Sequence, residues 1–299
     1  MTTVLPPAIQ TCELTKEFGQ IVAVRHLSLI VPIGSISGFL GQNGAGKSTT
    51  LKMLMGAVRP SQGSGHIFGL SIEDPVQSVE IRKRVAFVGE DKGLYDYMTV
   101  EQIIRFTKSF FPKWRSDLEH KFMREFPLPF DRKIKKLSKG MRTQLALLLG
   151  IARGPEMLVL DEPSEGLDPV AIEILLRLLK ELAADSMTIF FSSHQLADVE
   201  QIADHAFIVN RGELVVGSSV DRLKNDCRRI QVVLENPEQE MELAMEGVKG
   251  IQAEGKMFSV FVSHNLDRIL EHIRNLRPTN VEVMPMSLKE IFLQSLKVR

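Results

Sequence analysis

The chain contains a glycine-rich stretch that ends in lysine and serine, a pattern able to bind phosphate. The stretch consists of Gly41, Gln42, Asn43, Gly44, Ala45, Gly46, Lys47 and Ser48. A strand-like apolar segment, residues 36–40, precedes it, and a helical pattern follows. Its glycines let backbone N–H groups surround phosphate oxygens, while Lys47 neutralises charge and Ser48 can ligate Mg²⁺. A glycine-rich turn with a chance lysine would not explain this order of strand, loop and helix.

Two adjacent carboxylates follow a second apolar run. Leu158 to Leu160 read as a strand buried on both faces, and Asp161 and Glu162 stand at its end. Asp161 can hold Mg²⁺ through water, and Glu162 can act as general base on an attacking water. Adjacent acids at a strand end are also common as solvated turn residues. Beside a phosphate loop, the catalytic interpretation is favoured.

A histidine follows a third apolar run. Met187 to Phe191 read as another buried strand, with His194 just beyond its end. Ligands gather at the carboxyl ends of strands in open α/β sheets. A lone histidine is more often structural, but at the same sheet edge as the phosphate loop we expect His194 to act in catalysis.

A second possible anion site lies at residues 134–149, "IKKLSKGMRTQLALLL". Ser138 and Gly140 stand among lysines directly before an apolar helix. A helix start presents free N–H groups and the positive end of its dipole. The same pattern fits a capped amphipathic helix with a solvated basic face, because Leu145 and Leu148 recur at core spacing.

The composition limits the kind of protein that carries these residues. At 299 residues and 44% hydrophobic content, the chain can form two domains or one domain with an appendage. Its 37 Lys+Arg balance 37 Asp+Glu, so we expect no nucleic-acid partner. Cys12 and Cys227 show no metal-ligand spacing, and we expect both to pack in the interior of a protein kept in a reducing compartment.

The sequence predicts no membrane span. The longest apolar-looking stretch, "IVAVRHLSLIVPIGSISGFLG", is interrupted by Arg25, His26, Pro32 and Gly34. The first ten residues lack the charged start and apolar core of a secretory signal. We therefore expect a cytoplasmic protein whose membrane role depends on a partner.

Taken in their order along the chain, over about residues 8–222, these motifs resemble those of the ATP-binding subunits of ATP-binding cassette (ABC) transporters. Gly41 to Ser48, with Thr49, resembles the Walker A loop, and Leu158 to Glu162 resembles Walker B. Further matches are the D-loop at Ser164 to Asp168, the switch histidine at His194, the LSGGQ signature at Leu137 to Met141, and Phe18 at the position of an adenine-stacking aromatic residue.

The resemblance implies an α/β fold, namely the P-loop NTPase core of ABC ATPases. It also implies ATP and Mg²⁺ as cofactors, with Ser48, Glu90 and Asp161 at the metal. Two cassettes pair head to tail in this family, so Ser138 and Gly140 would serve the ATP of a neighbour. The partners would be a second ATPase subunit, in a homodimer or heterodimer, and a transmembrane permease. The subunit would lie peripherally on the cytoplasmic face of the membrane.

Two positions depart from the family pattern. Met141 replaces the usual glutamine of the signature, which removes a polar side chain but keeps Ser138 and Gly140. Glu90 stands where the family commonly has glutamine, so it can still ligate Mg²⁺ but adds a negative charge beside the γ-phosphate.

Two further regions flank or interrupt the core. Helical periodicity within residues 93–153 resembles the helical subdomain that contacts the permease, and its aromatic stretch "FFPKW" fits either core or a docking groove. Within residues 229–299, "IQVVLE", "MFSVFVS" and "VEVMP" are predicted as strands and "LDRILEHIRNL" and "SLKEIFLQSL" as helices, the last with Ser287 as N-cap. Together they predict a small α+β extension. This extension resembles those of some exporter-type cassettes and would be dimerising or regulatory.

Two other functional classes compete with the transporter interpretation. A soluble cassette ATPase acting on DNA or ribosomes usually has a long coiled coil or two cassettes, and the sequence shows neither heptads nor an internal repeat. A P-loop kinase for a small molecule would leave Leu137 to Met141 unexplained. We therefore expect an ATPase that drives a separate membrane protein.

Overall fold

A computed structural model describes residues 6–235 and 243–296 of the chain. The chain divides into two compact units, Met1–Leu214 and Val215–Arg299. The sequence prediction placed the end of the core at residue 222 and the start of the extension at residue 229, which are 8 and 14 residues beyond the observed boundary between residues 214 and 215.

The first unit is built on a six-stranded sheet with the order β11-β10-β4-β9-β8-β7. Its strands are β4 Ile36–Leu40, β7 Val85–Val88, β8 Met157–Asp161, β9 Thr188–Ser193, β10 His205–Asn210 and β11 Glu213–Ser219, the last of which contains the boundary between the units. The neighbours from β10 to β7 run parallel. Every residue of β4, β8 and β9 is buried, as the continuous apolar runs predict. Their carboxyl ends therefore meet at one sheet edge.

An antiparallel sheet forms the rest of the strand structure in this unit. It contains β1 Ile9–Phe18, β2 Ile21–Leu27, β3 Ile30–Val31, β5 Gln62–Ile67 and β6 Leu70–Ser71. The order is β2-β1-β5-β6, with β3 also paired to β1. Cys12 lies exposed on β1, so the expectation that it packs in the interior is wrong. Alternation along a strand with one solvated face places it outward.

The helices of this unit enclose the parallel sheet and form the helical subdomain. They are α1 Lys47–Leu54, α2 Pro75–Arg84, α3 Val100–Lys108, α4 Ser116–Glu125, α5 Lys139–Ala152, α6 Pro169–Ala184 and α7 Leu196–Ile202. A single 3₁₀ turn, Ile134–Lys136, leads into α5. In the stretch "FFPKW", Phe110 is exposed and Phe111 and Trp114 are half-buried, whereas Phe122 and Phe126 further along the chain are buried. The stretch itself is therefore partly surface, and the buried aromatic core of this region follows it.

The second unit has its own apolar core. Its elements are α8 Val220–Asp226, β12 Arg228–Val233, β13 Val248–Glu254, β14 Met257–Val262, α9 Leu266–Asn275, β15 Asn280–Pro285 and α10 Leu288–Ser295. The strands form an antiparallel sheet of order β13-β14-β12-β15. Ser287 caps α10 by accepting a hydrogen bond from the Glu290 backbone N–H, as predicted. Cys227 is buried here, which fits a packing role.

Within the two described ranges, no helix is both long and apolar enough to cross a membrane.

Candidate active site

The glycine-rich loop connects the carboxyl end of β4 to the start of α1. Gly44 and Gly46 have φ angles of 82° and 99°, a backbone region that side chains rarely adopt. A Cβ at Gly46 would also lie 2.5 Å from the Ala23 carbonyl oxygen. Position 46 therefore requires glycine, both because of its backbone conformation and because a Cβ would not fit there. The loop can then fold closely over the start of the helix.

Lys47, the first residue of α1 after this loop, is buried. Its Nζ donates hydrogen bonds to the carbonyl oxygens of Gly41 at 2.8 Å and Gln42 at 3.4 Å. The same Nζ lies 3.3 Å from Oε1 of Glu162. Because the ammonium stands at the N-terminal end of α1, an entering phosphate would meet both its charge and the free N–H groups of the helix.

Asp161 and Glu162 occupy the end of β8 in different surroundings. Asp161 is almost fully buried and accepts a hydrogen bond of 2.6 Å from the Ser192 hydroxyl of β9. The Glu162 backbone N–H donates in turn to the same hydroxyl at 3.0 Å. Glu162 adopts a φ angle of 49°, which is uncommon for a residue with a side chain. Such local strain is often found at functional sites.

Glu162 also contacts the histidine that follows β9. Its Oε2 lies 2.8 Å from Nδ1 of His194 and accepts the His194 backbone N–H at 3.3 Å. One carboxylate thus bridges Lys47 of the phosphate loop and His194. The arrangement places one carboxylate in contact with an imidazole on one side and with the lysine of the glycine-rich loop on the other.

These side chains surround a cleft of about 330 Å³, here called the phosphate cleft. It is lined by Ala23, Gln42, Asn43, Gly44, Gly46, Lys47, Ser48, Thr49, Glu90, Glu162, Glu165 and His194. Most of the site residues predicted from the sequence therefore lie together. The predicted residues that do not line the cleft are Phe18, Gly41, Ala45, Ser138, Gly140 and Asp161.

The oxygen ligands predicted for Mg²⁺ suit that ion. The Ser48 hydroxyl and the Glu90 carboxylate line the phosphate cleft, and Asp161 lies at the end of the adjacent strand. Within the described residues, no group of three or more His, Cys, Asp or Glu side chains forms a ready metal cage. Mg²⁺ usually binds through one or two protein oxygens together with waters and substrate phosphates, so this sparse set fits.

The segment that resembles the signature, Leu137 to Met141, packs against the segment that resembles the D-loop, Ser164 to Asp168, of the same chain. Ser138 caps α5 by accepting the Met141 backbone N–H, and Lys139 forms a 2.5 Å ion pair with Glu165. A Cβ at Gly140 would lie 2.6 Å from the Gly166 carbonyl oxygen. Glycine at Gly140 thus has a structural reason within the chain, and Ser138 stays exposed to solvent.

Phe18 stands at the end of β1 with its ring half exposed. The Lys16 ammonium lies 4.9 Å from the ring centroid, a cation–π distance. A base could stack on such a ring, so the predicted role of Phe18 stays a prediction.

Sequence reasoning missed Ala23 and Glu165, which line the cleft, and also Ser192 and Lys92, which do not line it. Ser192 links β9 to β8, because its hydroxyl donates a hydrogen bond to Asp161. Its position two residues before His194 is the sequence signal that could have identified Ser192 as a site residue. Lys92, two residues after Glu90, has a buried Nζ with no hydrogen-bond partner among the described residues. Burial lowers the pKa of this ammonium, whereas the charges of Glu165, Asp161 and Glu90 act to raise it.

Comparison with known proteins agrees with this geometry. Residues 24–165 match the family described as "ABC transporter". The chain is 35% identical over 224 residues to the bacitracin transport ATP-binding protein BcrA of Bacillus licheniformis, covering 74% of this chain and 72% of the relative. It is 24% identical over 286 residues to the ABC transporter ATP-binding protein YtrB of Bacillus subtilis, covering 95% and 97% of the two chains.

Solved structures show the same fold. An ATP-binding subunit of an ABC transporter superposes with a TM-score of 0.66 at 27% identity, covering 74% of this chain and 92% of that one. The cassette MJ0796, in a dimeric post-hydrolysis state with ADP and phosphate, superposes with a TM-score of 0.64 at 20% identity, covering 71% and 98%.

Proposed function

The chain belongs to the ATP-binding subunits of ABC transporters, and we propose that it hydrolyses ATP in a head-to-tail dimer through Lys47, Glu162 and His194. As a member of this family it binds and hydrolyses ATP to drive transport, dimerises and acts with a membrane partner. The observation that supports the proposed residues best is the carboxylate of Glu162, which contacts both Lys47 and His194. A soluble ATPase of DNA or ribosomes is not favoured, since these relatives are transport or transporter proteins.

Each side chain would have a defined task during hydrolysis. Lys47 binds the β- and γ-phosphates, and Glu162 accepts a proton from the water whose oxygen attacks the γ-phosphorus. The bond between that phosphorus and the β-phosphate oxygen breaks, and ADP leaves. His194 holds the Glu162 carboxylate in position through Nδ1. Mg²⁺ bound by Ser48, Asp161 and Glu90 would neutralise phosphate charge.

The exposed signature supports the dimeric arrangement. Ser138 is solvent-exposed at the start of α5 and does not line the phosphate cleft of its own chain. A helix start without its own nucleotide becomes useful when a second copy presents its bound γ-phosphate. ATP would then hold two chains together, and hydrolysis would release them. The pair would consist either of two identical chains or of this chain and a second, related ATPase subunit.

The partner in the membrane would be a separate permease, and the chain would lie on the cytoplasmic face. Exposed aromatic rings in the helical subdomain support a docking surface there, because such rings anchor protein interfaces. They are Tyr95, Tyr97, Phe106 and Phe110. The resemblance of the C-terminal extension to exporter-type systems favours export. Co-purification of a polytopic membrane protein with the tagged chain, from detergent extracts of the native host, would support a permease partner. If no such membrane protein co-purifies, the proposal of a permease partner is contradicted.

Replacing Lys47 tests the nucleotide site itself. Lys47→Ala removes the buried cation beside the phosphates, so we expect ATP binding to weaken strongly and turnover to fall to background. Lys52→Ala is the matched control, because Lys52 is exposed later on the same helix. Phosphate release and equilibrium nucleotide binding measure both effects. Near wild-type turnover of Lys47→Ala would refute the assignment.

A further inference from the structure

The second unit contains a cavity of its own, here called the extension cavity, of about 270 Å³. All of its lining residues belong to the unit Val215–Arg299. Its walls are mostly apolar, and their buried side chains are Leu223, Phe261, Val262, Met286 and Ile291. Its volume is close to the lower end of the range for small-molecule pockets. The cavity therefore has room for a short apolar chain.

An amide that lacks a hydrogen-bond partner lines this cavity. Gln294 of α10 is 5% exposed, and its Oε1 has no hydrogen-bond partner among the described residues. The other buried residues of α10 are Leu288, Ile291 and Phe292, so burial alone would favour an apolar residue at this position. A buried polar group without a partner costs free energy. A ligand that donates a hydrogen bond to Gln294 would offset this cost.

A lysine lies close to this amide in the chain. A Cβ at Gly250 would lie 2.5 Å from Oε1 of Gln294, so the amide packs directly against β13. Lys249 precedes Gly250 and is the additional residue of a bulge, because the register of β13 with β14 shifts between Val248 and Gly250. Bulges of this kind change the direction in which a side chain points. Lys249 also lines the extension cavity, so a cation and an amide border it at neighbouring positions.

The charges around the extension cavity favour an anionic ligand. The charged side chains that line it, Arg222, Asp226 and Lys249, are all exposed. Arg222 and Asp226 pair with each other at 3.2 Å, whereas Lys249 forms no ion pair with another described residue. Among the described residues, the uncompensated charge of the lining is therefore positive. A carboxylate can meet this charge at the solvent side while an apolar chain lies inside.

We propose that the extension cavity binds a small hydroxy carboxylic acid with an apolar chain. The chain packs against the apolar walls, the carboxylate pairs with Lys249, and the hydroxyl donates a hydrogen bond to Gln294. The hydroxyl stands next to the carboxylate in the ligand, because Gln294 contacts Gly250, the chain neighbour of Lys249. This site belongs to the second unit, and its ligand binding does not depend on nucleotide binding by the first.

Calorimetry with the intact chain tests the chemistry of the ligand. The probes are α-hydroxyoctanoate, octanoate, which lacks the hydroxyl, and the corresponding vicinal diol, which lacks the charge. We expect the wild-type chain to bind α-hydroxyoctanoate about three- to tenfold more tightly than octanoate, the usual effect of one hydrogen bond. We expect it to bind α-hydroxyoctanoate about two- to fivefold more tightly than the diol, the usual effect of an exposed ion pair.

Two substitutions should each remove one of these preferences. Gln294→Leu should abolish the preference for α-hydroxyoctanoate over octanoate and keep the preference for the acid over the diol. Lys249→Met should do the reverse. The matched controls are Gln252→Leu and Lys256→Met, at exposed positions outside the lining, and they should change neither preference. The melting temperature of Gln294→Leu should not fall, because a buried amide without a partner is removed.

A thiol inside the extension cavity reports whether the ligand occupies it. Cys227 is buried and lines the cavity, whereas Cys12 is exposed. Burial and the charge of Asp226 raise the pKa of the Cys227 thiol, and the charges of Arg228 and Lys249 act against them, so labelling is measured at alkaline pH. In a Cys12→Ser chain, saturating α-hydroxyoctanoate should slow the reaction of Cys227 with a thiol reagent. An unchanged labelling rate would place the bound acid elsewhere and overturn the proposal.

Other results would also overturn the proposal. They are no binding of any probe up to its solubility limit, equal affinity for the three probes, and an unchanged preference for the hydroxyl in Gln294→Leu. If Gln294→Leu fails to fold, Gln294→Met replaces it, and failure of both would assign Gln294 a structural role and refute the site. A chain that binds α-hydroxyoctanoate with these preferences but binds no nucleotide would refute the proposed function and support this proposal.

Discussion

At the scale of single residues, Glu162 connects the two halves of the candidate site. Its Oε1 faces Lys47 and its Oε2 faces His194. A general base must accept a proton, whereas an ion-pair partner only has to carry charge. A glutamine at this position keeps the shape of the side chain and removes its basicity, so the two roles can be separated.

Glu162→Gln should bind ATP but hydrolyse it at least about 100-fold more slowly, the lower range for loss of a positioned base. With hydrolysis blocked, the ATP-bound dimer should accumulate, which light scattering with Mg-ATP would detect. Glu173→Gln on the exposed face of α6 is the control and should turn over normally. A Glu162→Gln variant that stays monomeric with ATP, or that turns over normally, contradicts the role.

Phe18 offers a second residue-scale test. If its half-exposed ring stacks on adenine, Phe18→Ala should weaken the free energy of ATP binding by about 1–3 kcal/mol, the usual value for a base on an aromatic ring, and so raise the Kd. Ile21→Ala, at the exposed residue paired with Phe18 across the hairpin, should leave the Kd unchanged. Equal Kd values for Phe18→Ala and wild type, measured by calorimetry, would assign Phe18 to ordinary packing.

At the scale of elements, the site depends on how closely α7 packs against β4. A Cβ at Gly38 of β4 would lie 2.4 Å from Cγ1 of Val199 of α7. The chain that enters α7 carries His194, so the distance between this helix and the sheet also sets the position of the histidine. Glycine at Gly38 therefore serves packing, since its φ angle is not positive.

Gly38→Ala should lower the free energy of unfolding by about 1–3 kcal/mol, the usual cost of overpacking a core. Adding Val199→Ala should return part of that loss, because it removes the methyl groups that the new Cβ meets. Denaturant titration of the single and double variants measures the effect. If Gly38→Ala is as stable as wild type, the close packing of α7 on β4 is not required.

The elements themselves were predictable to different degrees. The sequence predicted β12, β14, α9, β15 and α10, because each has a clear apolar period or cap. It missed β13, Val248–Glu254, whose residues are mostly exposed and which lies at the edge of its sheet. β15, at the opposite edge, still shows the alternation Val281-Glu282-Val283, whereas in β13 Gly250 and a register shift between Val248 and Gly250 interrupt the alternation on which strand prediction depends.

At the scale of the whole molecule, the proposed head-to-tail dimer predicts that a substitution in one chain impairs hydrolysis of the ATP bound by its partner. Ser138→Asp adds a carboxylate that would repel a partner's γ-phosphate, yet aspartate caps a helix as well as serine does. This substitution is cleaner than one at Gly140, where any side chain would meet the Gly166 carbonyl of the same chain. Ser138→Asn is the neutral control for the cap.

Mixed dimers of Lys47→Ala and Ser138→Asp chains, isolated with two affinity tags, should regain hydrolysis. One composite site collects both lesions, and the other joins an intact phosphate loop to an intact signature. A dimer of wild type with a chain carrying both lesions should be inactive, because each of its sites has one lesion. Activity in this second dimer and none in the first would show that the signature serves its own chain.

Many residues of the candidate site could be predicted from the sequence, because each of its motifs occupies a short stretch of the chain. The glycine-rich loop, the paired acids after an apolar run, and the histidine after another such run each lie within a few residues, and parallel strands bring their carboxyl ends to one edge. The class of chemistry, the α/β core and the separate C-terminal extension followed from such patterns and their order.

Only the tertiary structure decided which of these groups touch. The bridge from Lys47 through Glu162 to His194 and the hydrogen bond from the Ser192 hydroxyl to Asp161 join residues far apart in the chain. Such contacts depend on side-chain packing between elements, which sequence spacing does not encode. The start of α5 could likewise be predicted as an anion site, but its place outside the cleft of its own chain is set by how α5 packs on the D-loop.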